Sequence, residues 1–237
     1  MHKVILRHDV DNPIDYKLGR ARLVANNVLL RAPWMRNLVP GYNRPAWEML
    51  ELDNRHNAKA TWFFRTVTLP SKKMQSELTQ HGHRIAYHAD RDKEEGQFAA
   101  DLATIQSHSS RKIQGVCKHG SAKVRGGGSW DEDRMNRLAK SQGLVYVCDG
   151  NNPNGDKPTH PDWQTPRAVN GIITFGHRIT LYKHDWGEIS GYVESHETPL
   201  VLIHPEDLTH PGCMEKATRL LSEYECVSVE DALGLGE

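Results

Sequence analysis

Val4-Ile5-Leu6-Arg7-His8-Asp9-Val10-Asp11 opens on an apolar run and ends in two carboxylates spaced two apart. Residues at i and i+2 of a strand point to the same side, so Asp9 and Asp11 sit side by side at the strand's end. Two carboxylates that close repel, and either one is protonated or a positive group sits between them. A metal ion is the expected reason for the pair. Three further apolar runs end in histidine: Arg84-Ile85-Ala86-Tyr87 before His88, Gly115-Val116-Cys117-Lys118 before His119, and Leu200-Val201-Leu202-Ile203 before His204.

Working outward, short apolar runs alternate with helix-like segments along all 237 residues. The predicted strands are Lys3–His8, Ala60–Arg65, Arg84–His88, Gln114–His119, Leu144–Cys148, Gly171–Phe175 and Leu200–His204. Helices are predicted over Arg44–Asn57, begun by Pro45, over Gln97–Gln106, over Asp131–Ser141 with a glycine stop at Gly143, and over Cys213–Tyr224. An apolar cluster at Leu23–Leu30 suggests another. This alternation implies an α/β fold of parallel strands joined by helical crossovers. No linker divides it, so residues 1–237 read as one catalytic domain. In a parallel barrel the active site lies at the carboxyl ends of the strands, which is where the acids and histidines fall.

With 30 basic and 30 acidic residues the net charge is zero, which argues against a dedicated nucleic-acid surface. Fourteen histidines offer a large pool of metal ligands. The four cysteines, Cys117, Cys148, Cys213 and Cys226, lack the spacing of a zinc or redox motif and read as buried thiols. No charged-then-apolar leader and no membrane-spanning apolar run are visible, so a cytoplasmic location is expected. Arg125–Ser129, with its three glycines, lacks the lysine and helix of a phosphate loop. Oligomeric state has no signal in the sequence.

These pieces, in this order, resemble the polysaccharide deacetylases of the NodB-homology type, the carbohydrate esterase family 4 superfamily. His8-Asp9-Val10-Asp11 resembles the first motif in the His-Asp-Val-Asp form of a divergent branch. Ala58-Lys59-Ala60-Thr61-Trp62-Phe63-Phe64 resembles the second strand, and Gly82-His83-Arg84-Ile85-Ala86-Tyr87-His88 the segment after it. His119-Gly120-Ser121 and Leu202-Ile203-His204-Pro205 resemble two later motifs. The likeness spans residues 4 to 205.

The resemblance implies a distorted (β/α) barrel, a bound divalent metal (zinc in most members) and hydrolysis of an N-acetyl or similar acyl group on an amino sugar or glycoconjugate precursor. By position, Asp9 resembles the general base that works on a water at the metal, and His204 the general acid. Asp11 and His88 resemble metal ligands. Two positions depart from the pattern. Asp92 stands where the family carries a second histidine four residues after the first. No middle-motif arginine is evident, and Lys118 occupies the nearby strand. The third ligand is expected from His119, with Asp92, in the charged run Asp90–Glu95, as the alternative. Asp149, ending the strand before it, is a candidate for a metal or substrate contact, and His184-Asp185-Trp186 for a sugar-stacking face. Other readings are a metal-dependent hydrolase of another amide or ester bond, and a non-catalytic glycan-binding barrel; the partner is a small molecule or glycan in each case. Loops Asn12–Asn43, Arg125–Ser129 and Asp149–Pro166 would surround the mouth.

Overall fold

The computed structural model describes residues 2–14, 24, 27–29, 31–39, 41–90, 94–119, 132–148, 166–176 and 178–235. The first strand, β1 (Lys3–Val10), is buried along all but its first residue. Val4, Leu6 and Val10 face one way and Ile5 the other, and the same division runs through the molecule. The outer layer packs Val4, Leu6, Trp62 and Phe64 against helical Met49, Leu50, Phe98, Leu220 and others. The smaller inner layer holds Ile5, Phe63, Ala86, Cys117, Tyr146, Cys148, Phe175 and Leu200. A strand covered on both faces is what a parallel sheet with helical crossovers demands.

The remaining strands are β2 (Thr61–Phe64), β3 (Arg84–Ala89), β4 (Gly115–Lys118), β5 (Tyr146–Val147), β6 (Arg167–Val169), β7 (Ile172–Thr174), β8 (Ile179–Thr180), β9 (Leu200–Ile203) and β10 (Glu225–Val227). Their order is β6-β7-β5-β4-β3-β2-β1-β9-β8, with β10 also paired to β1. All pairs are parallel except the β6–β7 hairpin. Among the described residues no pairing joins β6 to β8. The architecture is therefore a distorted, mostly parallel (β/α) barrel left open on one side, as expected.

The helices are α1 (Arg44–Arg55), α2 (Lys72–Gln80), α3 (Glu95–Gln106), α4 (Glu132–Ser141), α5 (Trp186–Ser195), α6 (Cys213–Glu223) and α7 (Val229–Ala232). Each predicted helix is present, shifted by one or two residues at its ends. Residues 24, 27–29 and 31, within and beside the predicted segment at 23–30, are helical. The strands β6, β8 and β10 and the helices α2, α5 and α7 were not expected from the sequence. α2 is capped by Ser71, whose Oγ accepts from the Met74 amide, and α5 opens on a capping box between Asp185 and Glu188.

The amino-terminal end of the barrel is plugged. Glu230 of α7 accepts hydrogen bonds of 2.6 Å from both the Thr61 and Tyr146 hydroxyls. The Tyr146 ring packs against Gly115, where a Cβ would stand 1.9 Å from ring carbons. That close approach is what the glycine at the head of β4 permits. The opposite, carboxyl end of the strands is left to the polar residues.

Candidate active site

The inner face of β1 carries Arg7 and Asp9, as its two-residue period requires, and Asp11 follows just past its end. Arg7 donates to Asp9 through Nε (2.6 Å to Oδ1) and Nη2 (2.5 Å to Oδ2), and its Nη1 donates to the Cys148 carbonyl. The pair is almost wholly buried, and the guanidinium lies 5.0 Å from the Phe63 ring centroid. Burial alone would raise the Asp9 carboxyl. Arg7, with His88 and His204, outweighs it and holds the group at about 2.

Arg7 clamps Asp9 from the same strand, two residues upstream. Its signal was available: the spacing that pairs Asp9 with Asp11 also puts Arg7 on that face.

Above this clamp the end of β1 is pinned by main-chain contacts. Thr68 Oγ1 donates to the Val10 carbonyl at 2.9 Å. Arg65, just past β2, donates through Nη1 to the Asp11 carbonyl and through Nε to Asp90 at 2.9 Å. The Asp11 side chain then meets two imidazoles. His88 Nε2 lies 2.7 Å and His119 Nδ1 2.9 Å from the same Oδ1, and the two nitrogens are 3.2 Å apart. Burial, partly offset by Asp11, lowers the pKa of His119. Asp11 is itself driven well below the usual carboxylate range: burial opposes the shift, and His119 and His204 outweigh it.

Asp11, His88 and His119 thus form a group whose ligand atoms could hold a cation. A tetrahedral ion with bonds of about 2.0–2.1 Å sets its ligands roughly 3.3 Å apart. The observed 2.7, 2.9 and 3.2 Å need only a small outward shift. One carboxylate and two imidazoles suit zinc and neighbouring divalent metals.

His204, immediately after β9, completes the ring. Its Nε2 lies 3.8 Å from Asp11 Oδ2, and its Nδ1 lies 3.0 Å from Asp207 Oδ2. Burial would lower this imidazole. Asp11, the Asp207 hydrogen bond, Asp9 and Glu206 raise it instead, to about 9. Glu206 is buried alongside; its Oε1 accepts from Asn12 Nδ2 at 2.9 Å, and burial, then Asp11, pushes its carboxyl up to about 8. Asp207 and Glu206 follow the strand rather than end it, so strand-end reasoning missed both.

All five residues Asp9, Asp11, His88, His119 and His204 are therefore brought together at one end of the barrel. Asp92 and Asp149 lie outside the described residues, as do the expected mouth loop Arg125–Ser129, residues 149–165 of the next, and residues 15–23, 25–26, 30 and 40 of the first. His8 points to the outer layer, 2.8 Å from Asp53 and against Trp62, in keeping with a buried structural role. Trp186 packs on Tyr224 and on the Arg219 guanidinium, which stacks 4.4 Å from its ring. An unforeseen aromatic stands nearer the site: Tyr182, 41 % exposed, lies 6.2 Å from His204 and stacks on His210.

No protein-family model matches the chain, and no curated protein matches it in sequence. Solved structures do match its fold. A Mycobacterium smegmatis protein assigned as a polysaccharide deacetylase superimposes with a TM-score of 0.60 at 11 % identity, over 99 % of this chain and 89 % of that one. The chitin deacetylase of the fungal pathogen Colletotrichum lindemuthianum gives 0.54 at 14 %, over 98 % and 87 %. A family 4 acetyl xylan esterase from Clostridium thermocellum, solved with a cobalt ion, gives 0.52 at 13 %, over 98 % and 91 %. At these identities the likeness establishes a common fold.

Proposed function

We propose that the chain, read as one catalytic domain over residues 1–237, is a metal-dependent hydrolase that removes an N-acetyl or similar acyl group from an amino sugar or glycoconjugate precursor. The observation that carries this reading is the joint placement of Asp9, Asp11, His88, His119 and His204 around one barrel mouth. Three fold neighbours described as deacetylases or an acetyl esterase, one of them solved with cobalt, support it.

Asp11, His88 and His119 would hold a divalent cation, zinc on this donor set; when bound it supplies Lewis acidity toward an acyl carbonyl and raises the acidity of water. Asp9 accepts a proton from the attacking water. Arg7 fixes both of its oxygens and keeps it ionised at every physiological pH. The same clamp makes it a weak base, suited only to a water already made acidic. His204 works from the other side. With Nδ1 anchored by Asp207, its Nε2 faces the site, and an imidazole held at about 9 carries the proton at neutral pH. It can deliver that proton to the departing nitrogen, as a general acid must. Tyr182 offers an exposed aromatic face beside His204 for the apolar side of a sugar ring.

The test is acetate release from N-acetylated sugars, sugar nucleotides and glycoconjugate precursors, with metal content measured in parallel. Asp9→Asn should retain the metal and lose turnover. Turnover equal to wild type in that variant would remove Asp9 from the reaction.

A further inference from the structure

Cys117 lies on β4 with its side chain inside the barrel, fully buried. Its Sγ is 2.8 Å from His88 Nδ1 and 3.7 Å from Asp9 Oδ1. Asp9, His88 and Cys117 therefore form a second group with the composition of a metal site. Asp9 argues against a cation there. Both of its oxygens are already held by Arg7, at 2.6 and 2.5 Å, and an ion between them would press on a guanidinium.

Hydrogen bonding accounts for the arrangement without an ion. A thiol has one weak donor and a weak acceptor. We propose that Cys117 is a positioning residue: Sγ accepts from His88 Nδ1–H while its own S–H points to Asp9 Oδ1. The proton on Nδ1 leaves the Nε2 lone pair facing Asp11 and His119. The thiol thus selects the tautomer that can bind a cation and ties that ligand to the carboxylate beside it.

Ligating histidines usually donate their second nitrogen to a carboxylate, a carbonyl or water. A carboxylate at position 117 would add a third negative charge beside Asp9 and Asp11, which are already surrounded by Arg7 and a histidine cluster. A neutral thiol orients the ring without that cost, and its small apolar volume fits among Phe63, Ala86 and Tyr146.

The inference rests on the reading of Asp11, His88 and His119 as a metal cradle, and the experiment separates the two. Chelator-stripped protein is titrated with zinc against a chromophoric chelator, and with cobalt for its absorption spectrum. Cys117→Val fills the space without a hydrogen bond and should weaken zinc about 10- to 100-fold, the scale for loss of such outer partners. Cys117→Ser, which keeps a donor and an acceptor, should recover most of that loss. Cys226→Ala, at a buried thiol on β10, should change nothing. Wild-type cobalt protein should show no sulfur-to-metal charge-transfer band.

Wild-type affinity in Cys117→Val would overturn the role, as would a serine variant as weak as the valine one. A charge-transfer band would make Cys117 a ligand instead and equally end the proposal. Absence of zinc binding in wild type would fell the cradle itself, whereas equal binding in wild type and valine variant fells only the thiol's part.

Discussion

Replacing Arg7 tests the electrostatics of the site without any substrate. The Asp9 carboxyl is held at about 2 against an ordinary 3.8. That difference corresponds to roughly 2.5 kcal/mol at about 1.36 kcal/mol per unit. The sign follows from a lowered folded-state pKa: the stabilisation is present in full above pH 3.8 and disappears as pH falls through about 2. Removing one member of a buried ion pair costs about 3–5 kcal/mol, because the other is left charged in a place water cannot reach.

Arg7→Met should therefore lose about 3–5 kcal/mol at pH 7, and Asp9→Asn should lose a comparable amount by stranding the guanidinium. The double variant strands neither charge. It should be no less stable than either single variant, leaving a coupling energy of at least about 3–5 kcal/mol. Urea unfolding of the four proteins, in a chelator so that no cation contributes, supplies the cycle. Additivity within about 0.5 kcal/mol, the scatter expected of independent sites, would refute the clamp.

Three further outcomes follow from the same structure. Gly115→Ala should lower stability by about 1–3 kcal/mol, since its Cβ would collide with the Tyr146 ring and push the hydroxyl from Glu230; an unchanged urea midpoint would show that the ring gives way freely. Burial raises the Glu230 carboxyl above its ordinary 4.5, so its contribution to stability is complete below pH 4.5 and is lost as pH rises through the higher folded-state value. Glu230→Gln should flatten that slope, read as urea midpoints across the range, and a slope identical to wild type would place the titration elsewhere. Tyr182→Ala should raise KM with little change in kcat on a cyclic N-acetylated sugar, as loss of uniform binding does, and an unaltered KM would take the ring out of the substrate's path.

The parts of the fold legible in the sequence are those whose burial leaves a long apolar run. β1, β3 and β9 are unmistakable for that reason. β8 and β10 are two and three residues long and leave no such run. α2 buries only Met74 and Leu78 among polar neighbours, too thin a stripe to read as a helix. The candidate site was legible because parallel strands carry their carboxyl ends to one place, so residues remote in sequence are neighbours by topology. The contacts between side chains on adjacent strands were not. Nothing in the order of residues says that Cys117 reaches His88, since that depends on the β3–β4 register, His88 opposite Cys117. Arg7 is the intermediate case, visible to a strict two-residue count and overlooked because it precedes the acids.

The run Arg7, Asp9, Asp11 also acts on the folding of the chain that carries it. A strand slipped by one residue sends every side chain to the opposite face. For β1 that error would drive a guanidinium and two carboxylates into the apolar layer beneath the helices, and would pull His8 away from Asp53. The same charges that could serve a reaction at the barrel mouth therefore act during assembly as a proofreader, rejecting every alignment of β1 that puts an apolar side chain where they belong.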